Sequence, residues 1–381
     1  MNKITNPHTK QVHTLSSGVR NTSTCCGVGV KNKKVKALPL TTFQENYCTK
    51  QKPQKVVRGL VLLSGGLDSI LAAKLLIRQK IKVTGLTFKS YFFSSDQAEK
   101  AAKELGIKLE IVDFSKENLK IVKSPKHGYG KSINPCIDCH VLMLKIAKKI
   151  MREKGFDFVA TGEVLGERPM SQNRVALDVI EKESSLSGYL LRPLSAKLLK
   201  KTIPEKKGLV NRENLFDISG RSRKRQIELA KKWRIKEYPT PAGGCLLTDL
   251  EFGKKLKELL KRYPGCKDSD IILLKYGRHF WPFDFAQGRI KIKIIIGRNE
   301  KEDREIRRLA YPPKSPEEFR RARKGDILIE MKNYPGPLTL VRNYGKGKVS
   351  LEIVEKTKNL TQYYSVKARE KKDVEFKIVS F

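Results

Sequence analysis

Apolar positions between residues 57 and 160 follow two alternating patterns. Short, nearly continuous apolar runs predict buried strands at Leu60–Leu63, Lys82–Phe88, Lys108–Asp113 and Phe156–Ala160. The segments between them repeat apolar residues every three or four positions, which predicts helices at Ile70–Ile77, Asp96–Leu105 and Asp138–Glu153. Strands that alternate with helices at this spacing predict an α/β fold built on a doubly wound parallel sheet.

The pattern changes after Tyr263-Pro264-Gly265. Basic helices are predicted before it, at Arg221–Trp233 and Lys254–Arg262. After it, short strands are predicted at Ile271–Leu274, Ile290–Ile296, Ile327–Met331 and Val374–Val379, with one helix at Glu300–Leu309. We therefore predict a first domain over residues 57–262 and a smaller α+β domain over residues 266–381. Residues 1–56 lack apolar periodicity and are predicted to be a disordered basic extension.

Charge is the strongest signal in the composition. The chain has 79 basic and 40 acidic residues, which gives a net charge of +39. The excess is spread along the whole chain, and such a field favours a polyanionic partner, with nucleic acid as the leading candidate. The alternative is a proteome rich in lysine, in which any protein would carry this excess.

The cysteine content and the apolar runs predict the compartment. Seven cysteines, an odd number in a chain of 381 residues, favour a reducing cytoplasm and metal or redox roles over a disulfide framework. No run of 18 apolar residues predicts a membrane span, and the basic N-terminus shows no secretory signal. We expect a cytoplasmic protein that does not engage a membrane.

A glycine turn joins the first predicted strand to the first predicted helix. Gly65 and Gly66 let backbone N–H groups point inward beside a helix start, which suits a polyphosphate. Ser64 and Ser69 can add hydroxyl donors, and Asp68 can hold Mg²⁺ or cap the helix. The alternative is an ordinary strand-to-helix turn. In a parallel sheet this position lies at the carboxyl ends of the strands, where ligands bind.

Three cysteines stand in two distinctive settings. Cys136 and Cys139 form a CxxC at a helix start, and Cys245 ends the glycine-rich stretch Pro241-Ala242-Gly243-Gly244-Cys245. A helix start lowers thiol pKa values, which suits metal binding or redox chemistry. Three interpretations remain open: a buried structural pair, a persulfide relay, or a [4Fe–4S] cluster held by three thiolates. A zinc site that includes His140 is less favoured, because the helix turns that side chain away.

The string SGGLDS resembles the pyrophosphate loop (PP-loop) of ATP pyrophosphatases, which have an adenine nucleotide alpha hydrolase-like fold. Together with NPCIDCH, ATGEVLGERPMSQ, LLRPLS, GRSRKRQIELA and PTPAGGCLLTD, it resembles the ATP-dependent tRNA thiouridine synthases over residues 57–262. That family includes 4-thiouridine synthases and 2-thiouridylases. The resemblance implies a transferase that uses ATP and Mg²⁺ to adenylate a uridine carbonyl oxygen in tRNA and replaces the oxygen with sulfur.

The resemblance also implies roles for particular residues. The catalytic residues would be Asp68, Cys136, Cys139 and Cys245, and the three cysteines would be the ligands of a [4Fe–4S] cluster. The ATP contacts would be Ser64, Gly65, Gly66, Asp68, Ser69, Thr161, Gly162 and Arg192. Arg221, Arg223 and Arg225 would bind RNA or ATP phosphates. The sulfur donor would be a cysteine desulfurase system or inorganic sulfide, and a homodimer is expected because dimers are common in the family. Cys266 matches no motif and is predicted to be structural.

The C-terminal part resembles the NFACT-type RNA-binding domain. The resemblance rests on four short segments: Tyr276–Phe280, Ile296–Asn299, Tyr334–Pro337 and Tyr363–Arg369, with an insertion at Trp281–Gln287. Arg278, Arg298, Arg342 and Lys367, interleaved with aromatic residues, are the predicted RNA contacts. The alternative is a structural domain whose aromatic residues form its core.

Two other functions compete with tRNA thiolation. One is another adenylating PP-loop enzyme that modifies RNA or a base, but such enzymes lack the divided CxxC and GGC arrangement. The other is a non-catalytic RNA-binding factor that retains a nucleotide fold, and the intact SGGLDS argues against it.

Overall fold

The structure is a computed structural model that describes residues 56–239, 244–281, 291–310, 325–345 and 347–381. The predicted disordered extension therefore lies outside the described residues, apart from Val56. Most of the glycine-rich stretch before Cys245 and nearly all of the predicted insertion at Trp281–Gln287 also lie outside them. Within the described ranges, no helix is both long enough and apolar enough to cross a membrane.

The first sheet is fully parallel, which confirms the predicted fold class. Its strands are β1 (Arg58–Leu62), β2 (Lys82–Lys89), β3 (Lys108–Asp113), β4 (Phe158–Ala160) and β5 (Leu190–Leu191). They run in the order β3-β2-β1-β4-β5. The chain leaves β1 toward one edge of the sheet and returns to β4 on its other side. The space beyond the carboxyl ends of β1 and β4 is therefore the topological switch point, where this class of sheet binds ligands.

Helices cover both faces of this sheet. They are α1 (Leu67–Arg78), α2 (Asp96–Leu105), α3 (Ser115–Lys123), α4 (Cys136–Lys154), α5 (Arg174–Glu183), α6 (Ile203–Lys206) and α7 (Lys224–Lys232). Successive residues of β1 point to opposite faces: Val61 packs in the core with α1, and Leu60 packs in the core with α4. Burial on both faces explains why this strand is apolar without alternation.

The second sheet is antiparallel. Its strands are β6 (Arg278–Phe280), β7 (Ile292–Ile296), β8 (Ile327–Met331), β9 (Thr339–Asn343) and β10 (Phe376–Ser380), in the order β10-β8-β9-β7-β6. Helix α10 (Glu300–Ala310) follows β7, and α11 (Leu351–Tyr363) follows β9. The sequence patterns did not predict β6, β9 or α11.

Two helices, α8 (Leu250–Arg262) and α9 (Asp268–Leu273), lie in the chain between the sheets. The predicted strand at Ile271–Leu274 is therefore wrong. The Asp270 carboxylate accepts a hydrogen bond from the Lys267 N–H at 2.7 Å and caps the start of α9. Ile271 and Leu273 are buried on this short helix. The prediction failed because an apolar run of this length is compatible with a buried strand or with a buried helix.

One apolar core contacts both parts of the chain. Phe92 and Leu119 of the first part pack in it with Phe252 of α8, Ile271 of α9 and Tyr344 next to β9. Cys266 is 5% exposed in the same core, consistent with a structural residue. The predicted domain boundary near Tyr263 thus coincides with a shared core.

Candidate functional site

The turn after β1 requires glycine at position 65. Gly65 has φ +80°, and a Cβ on it would lie 2.4 Å from the backbone carbonyl carbon of Gln97. Gly66 is the N-cap of α1. The turn is therefore pressed against the start of α2, with the positive end of the α1 dipole beside it.

Serine hydroxyls and a second glycine loop complete the turn. Ser69 Oγ donates to the Gly66 carbonyl at 2.8 Å, and Ser64 Oγ lies 3.3 Å from Ser69 Oγ. Gly162, in the loop after β4, lies so close that a Cβ there would be 2.5 Å from the Ser69 backbone nitrogen. The loops after β1 and β4 thus touch at the switch point.

A cavity of about 580 Å³ opens beside these loops. Its apolar wall contains Leu62, Leu86, Phe88, Phe93, Met143 and Leu144. Its polar wall contains Ser64, Gly66, Asp68, Ser69, His140, Thr161, Gly162, Glu163, Glu167, Arg168, Gln172, Arg223 and Cys245. A concave site with one apolar and one polar side suits a ligand that carries both a flat base and charged phosphates.

Two carboxylates face each other on the polar wall. Arg223 lies between them, with Nη2 at 3.8 Å from Asp68 Oδ2 and Nε at 3.9 Å from Glu167 Oε1. Burial raises the pKa of Asp68, and Arg223 offsets only part of that rise. Burial, together with the charge of Asp68, also raises the pKa of Glu167.

This carboxylate pair fits Mg²⁺. Asp68 Oδ1 is buried and has no hydrogen-bond partner among the described residues. Mg²⁺ in nucleotide sites is held by one or two carboxylates plus phosphate oxygens and waters. Asp68 and Glu167 would hold the ion, which would neutralise charge on a bound polyphosphate.

A buried ionic network supports another part of the polar lining, around Glu163. Glu163 accepts hydrogen bonds from Thr161 Oγ1 at 3.0 Å and Arg192 Nε at 2.9 Å, and it lies 2.8 Å from His140 Nδ1. Burial alone would raise the pKa of Glu163, but the charges of Arg192 and His140 outweigh it and lower the pKa to about 2. Glu163 is therefore an ionised carboxylate that fixes the orientation of the His140 ring.

The predicted contact between Arg192 and phosphate needs correction. Arg192 is 4% exposed and does not line the cavity. Its guanidinium donates to Glu163, to Glu181 at 2.9 Å and to the Leu177 carbonyl at 3.3 Å. Because its donors are directed at these groups, Arg192 positions Glu163 and does not reach a ligand.

The three cysteines lie close to one another beside the cavity. Cys245 lines the cavity, Cys136 is half-buried at the first position of α4, and Cys139 is buried one turn later. Burial, then the neighbouring Cys245, raises the pKa of the Cys139 thiol to about 12. Burial raises the pKa of the Cys245 thiol to about 11. Asn118 Nδ2 donates to Cys139 Sγ at 2.9 Å, and Asn134 Nδ2 donates to Cys136 Sγ at 3.1 Å.

These thiols are not arranged as a metal-ligand set. In the described part of the chain, no group of three or more His, Cys, Asp or Glu side chains is placed to hold a metal ion. The observed arrangement of Cys136, Cys139 and Cys245 thus does not fit a [4Fe–4S] cluster, which stays a prediction from resemblance.

The predicted basic helix is shorter than its sequence pattern. Helix α7 begins at Lys224, so Arg221 and Arg223 precede it. Arg223 faces the cavity, whereas Arg221 is exposed and Arg225 pairs with Asp217 at 2.7 Å on the surface. Arg223 thus lines the cavity, whereas Arg221 and Arg225 lie on the surface.

Of the basic residues predicted in the C-terminal part, three reach the surface. Arg278 is half-buried on β6, Lys367 is exposed, and Arg298 is exposed but paired with Glu302. Arg342 corrects the prediction. It is fully buried, with Nη1 at 3.0 Å from Asp326 Oδ2. A guanidinium without exposed surface cannot contact an RNA phosphate.

The sequence reasoning missed several residues of the site. Glu167, Arg168 and Gln172 line the cavity, and Gln226 Nε2 lies 3.5 Å from Glu167 Oε2. All except Gln226 belong to the segment ATGEVLGERPMSQ, which directly follows β4. Their position could have been predicted from the sequence, because they follow β4, the strand next to β1. The carboxyl ends of adjacent parallel strands lie at the same edge of the sheet, where the ligand binds.

The parallel sheet, the glycine turn and the cavity together define an α/β domain with a ligand-sized site at its topological switch point. Residues 55–206 match the family model described as "Thiamine biosynthesis protein (ThiI)". This part of the chain is therefore similar to that family, and the match covers less than half of the chain. Cys245 lies beyond the matched residues.

Curated relatives carry two related names. The chain is 35% identical over 143 residues to the "Probable tRNA sulfurtransferase" of Finegoldia magna, covering 36% of each protein. It is 27% identical over 262 residues to the "tRNA-specific 2-thiouridylase MnmA" of Buchnera aphidicola subsp. Schizaphis graminum, covering 63% of this chain and 66% of that protein. The chain thus spans about a third and just under two thirds of these relatives' own lengths.

A solved structure described as a 4-thiouridine synthetase–RNA complex with bound ATP shares 22% identity with the chain, at a TM-score of 0.36. The alignment covers 57% of this chain and 52% of that one. This similarity is too low to bear on the site.

Proposed function

We propose that the chain is an ATP-dependent tRNA sulfurtransferase that converts a uridine carbonyl to a thiocarbonyl. The observation that carries the proposal is that Cys245 lines the same cavity as Ser64 and Asp68. The residues that would activate the uridine with ATP and the cysteine that would carry sulfur thus line one cavity. The names of the relatives support sulfur transfer to tRNA, and the ThiI match favours 4-thiouridine over 2-thiouridine.

The first half of the reaction would activate the uridine. A carbonyl oxygen is a poor leaving group, so it attacks the α-phosphate of ATP, N3 loses its proton to solvent, and pyrophosphate leaves. Asp68 and Glu167 would hold Mg²⁺, which would neutralise charge on the phosphates. Arg223, together with the glycine turn and the α1 dipole, would stabilise the charge that develops on pyrophosphate.

The second half would deliver sulfur. A persulfide on Cys245, formed when the Cys245 thiolate takes the outer sulfur from the persulfide of a desulfurase-type donor and leaves that donor as a thiol, attacks the adenylated carbon, and AMP leaves. A thiolate of the half-buried Cys136 then attacks the Cys245 sulfur, which releases the thiouridine and leaves a Cys136–Cys245 disulfide. N3 takes up a proton from solvent, and an external dithiol reduces the disulfide. The proximity of the three thiols supports this relay over an isolated structural pair.

The exposed basic residues would bind the tRNA. Arg221 and Arg225 lie on the cavity-bearing part, and Arg278, Arg298 and Lys367 lie on the second sheet and its flanks. We keep the cytoplasm as the expected compartment and a homodimer as the expected assembly.

The test separates the two half-reactions. Purified protein with ATP, tRNA and a persulfide donor should release pyrophosphate and form 4-thiouridine, measured by mass spectrometry of tRNA nucleosides. Cys245→Ser should retain tRNA-stimulated pyrophosphate release and lose thiolation, because only the sulfur half is removed. Wild-type protein without tRNA-stimulated pyrophosphate release would instead support a non-catalytic RNA-binding factor. Iron analysis of anaerobic wild-type and Cys136→Ala proteins would decide the cluster prediction.

A further inference from the structure

Two adjacent tyrosines at the end of α11 form a small surface with two arginines. The Tyr363 and Tyr364 ring centroids are 5.2 Å apart, at an interplanar angle of 85°. The guanidinium carbon of Arg369 lies 4.9 Å from the Tyr363 ring centroid, and that of Arg278 lies 4.7 Å from the Tyr364 centroid. We call these four residues the tyrosine–arginine platform.

The platform is open to solvent. Tyr363 is 56% exposed even though Arg369 and Tyr364 cover parts of its ring. Val366 and Lys367 beside it are also exposed, the former at 92%. An aromatic ring left this accessible among basic residues does not contribute to a core, and such surfaces are enriched at sites of recognition.

The arginines are held in place by the backbone. Arg369 Nε donates to the Tyr363 carbonyl at 2.8 Å, and Arg278 Nη1 approaches the Gly297 carbonyl at 3.5 Å. Each guanidinium is therefore fixed over its ring while part of its charge stays available. This is a preorganised pairing of π-faces with positive charge.

We propose that the tyrosine–arginine platform binds unpaired nucleotides of the RNA substrate by stacking. This rests on the proposed function in one respect only, which is that the substrate is RNA. Every base has a π-face that can stack on tyrosine, whereas a duplex hides those faces between its base pairs. Lys367 and the guanidinium groups of Arg278 and Arg369 would attract the phosphates of the same strand. The surface therefore fits a single strand with little sequence preference.

The platform and the cavity would engage different points of one RNA. Helix α8 begins a few residues after Cys245 and, with 13 residues, spans roughly 20 Å. Lys255 on this helix lies within electrostatic range of Arg298, which follows β7 in the second sheet. Lys255 and Arg298 thus place positive charge where α8 approaches the second sheet, and we take the unpaired segment to be distinct from the reactive uridine.

The test measures binding of a labelled, unpaired oligouridine to the full-length protein by fluorescence anisotropy at several salt concentrations. Tyr363→Ala should weaken binding roughly 5- to 150-fold without changing the slope of log K against log salt, because stacking releases no counterions. Lys367→Ala should reduce the magnitude of that slope by about 0.7. Tyr363→Phe should bind like wild type, because it keeps the ring.

Tyr189→Ala serves as the matched control, since this tyrosine is also exposed, at 37%, but lies beside the first sheet. Its affinity should equal that of wild type. Thermal melting of Tyr363→Ala checks folding, and Tyr363→Trp, which enlarges the ring, should bind at least as tightly as wild type.

The proposal is overturned if Tyr363→Ala binds like wild type, or if it loses as much affinity for a duplex of equal length as for the single strand. Those outcomes would assign the surface to phosphates or to a protein. Oligouridine binding needs neither ATP nor the cysteines. A wild-type protein that binds oligouridine but makes no thiouridine would therefore contradict the proposed function alone.

Discussion

Single side chains in this site have charges set by their surroundings. Asp68 is the clearest case, because it combines burial, an unpartnered oxygen and a position beside the glycine turn. We predict that Asp68→Asn lowers the rate of pyrophosphate release by about 100-fold or more, since one electrostatic contact to the reacting phosphates is lost. Rapid quench with labelled ATP measures the rate.

The control for this prediction is Asp217→Asn, which removes an exposed carboxylate of the same kind. It should leave pyrophosphate release near the wild-type rate. A full rate in Asp68→Asn would show that the cavity does not use this carboxylate.

Glu163 gives a prediction about stability. Removing one partner of a buried ion pair leaves the other charge uncompensated, so Glu163→Gln should destabilise the fold by roughly 3–5 kcal/mol. The folded pKa of about 2 lies below the ordinary value of 4.5, so this carboxylate stabilises the fold above about pH 4.5. That contribution is lost as the pH falls toward 2.

Urea denaturation between pH 7 and pH 3 measures both effects. The wild-type free energy of unfolding should fall more steeply with decreasing pH than that of Glu163→Gln. Parallel curves for the two proteins would mean that Glu163 is not held ionised by Arg192 and His140.

Among single residues, the sequence predicted those whose role follows from a short motif. Ser64, Asp68 and Cys245 were predicted from short strings, and all three line the cavity. Arg192 and Arg342 were misassigned, because a sequence shows that a residue is basic and not whether carboxylates surround it. Burial and pairing depend on residues that are distant in the chain.

Among the elements, the loops after β1 and β4 depend on each other. Gly162→Ala would place a Cβ 2.5 Å from the Ser69 nitrogen, so the start of α1 must shift. We expect ATP affinity to fall at least about tenfold, because the turn loses its geometry while no ligand-binding side chain changes. Isothermal titration with a non-hydrolysable ATP analogue measures this loss.

Gly265→Ala is the control, because a Cβ there would meet only ordinary contacts, the nearest at 3.6 Å from the Tyr263 ring. It should bind the analogue like wild type. Unchanged affinity in Gly162→Ala would mean that the loop after β4 does not shape the nucleotide site.

Strand β7 contains a buried lysine, Lys293, whose burial lowers the stability of the fold. Lys293 is 1% exposed, and its Nζ has no hydrogen-bond partner within the described ranges, although it lies 4.9 Å from the Trp281 ring centroid. Burial lowers the pKa of Lys293 to about 7, so the fold is penalised below pH 7 and gains stability between pH 7 and 10.5.

Lys293→Met should therefore raise the free energy of unfolding at pH 7 by roughly 1–3 kcal/mol and remove the gain toward pH 10. Guanidinium denaturation at both pH values measures this. A less stable variant would show that the contact with Trp281 outweighs the cost of burial.

The elements that the sequence predicted are those with a sustained period. Strands β1 to β4 and helices α1, α2, α4 and α10 follow clear apolar patterns, so their positions agree within a few residues, whereas the two-residue strand β5 was not predicted. Strand β6 has three residues and α11 ends in the polar run Thr361-Gln362-Tyr363, so neither carries a long pattern. Tertiary packing determines these elements, and one sequence does not reveal it.

At the scale of the whole molecule, the net charge leads to a prediction about the proposed tRNA binding. With a net charge of +39, contact with about six to ten phosphates should make tRNA affinity fall by about 10³-fold or more between 50 and 200 mM salt. Filter binding of tRNA across this range measures the slope. A flat salt dependence would contradict a polyanionic substrate, and heparin should compete if the field alone attracts the ligand.

The core that contains Phe92, Phe252 and Tyr344 has a consequence for cooperativity. Because these side chains come from both parts of the chain, neither part can melt without exposing apolar surface of the other. Calorimetry should therefore show one heat-absorption peak, with equal calorimetric and van't Hoff enthalpies. The nucleotide-binding and RNA-binding regions would then share one stability, and ATP would protect the second sheet from hydrogen exchange although it binds only beside the first.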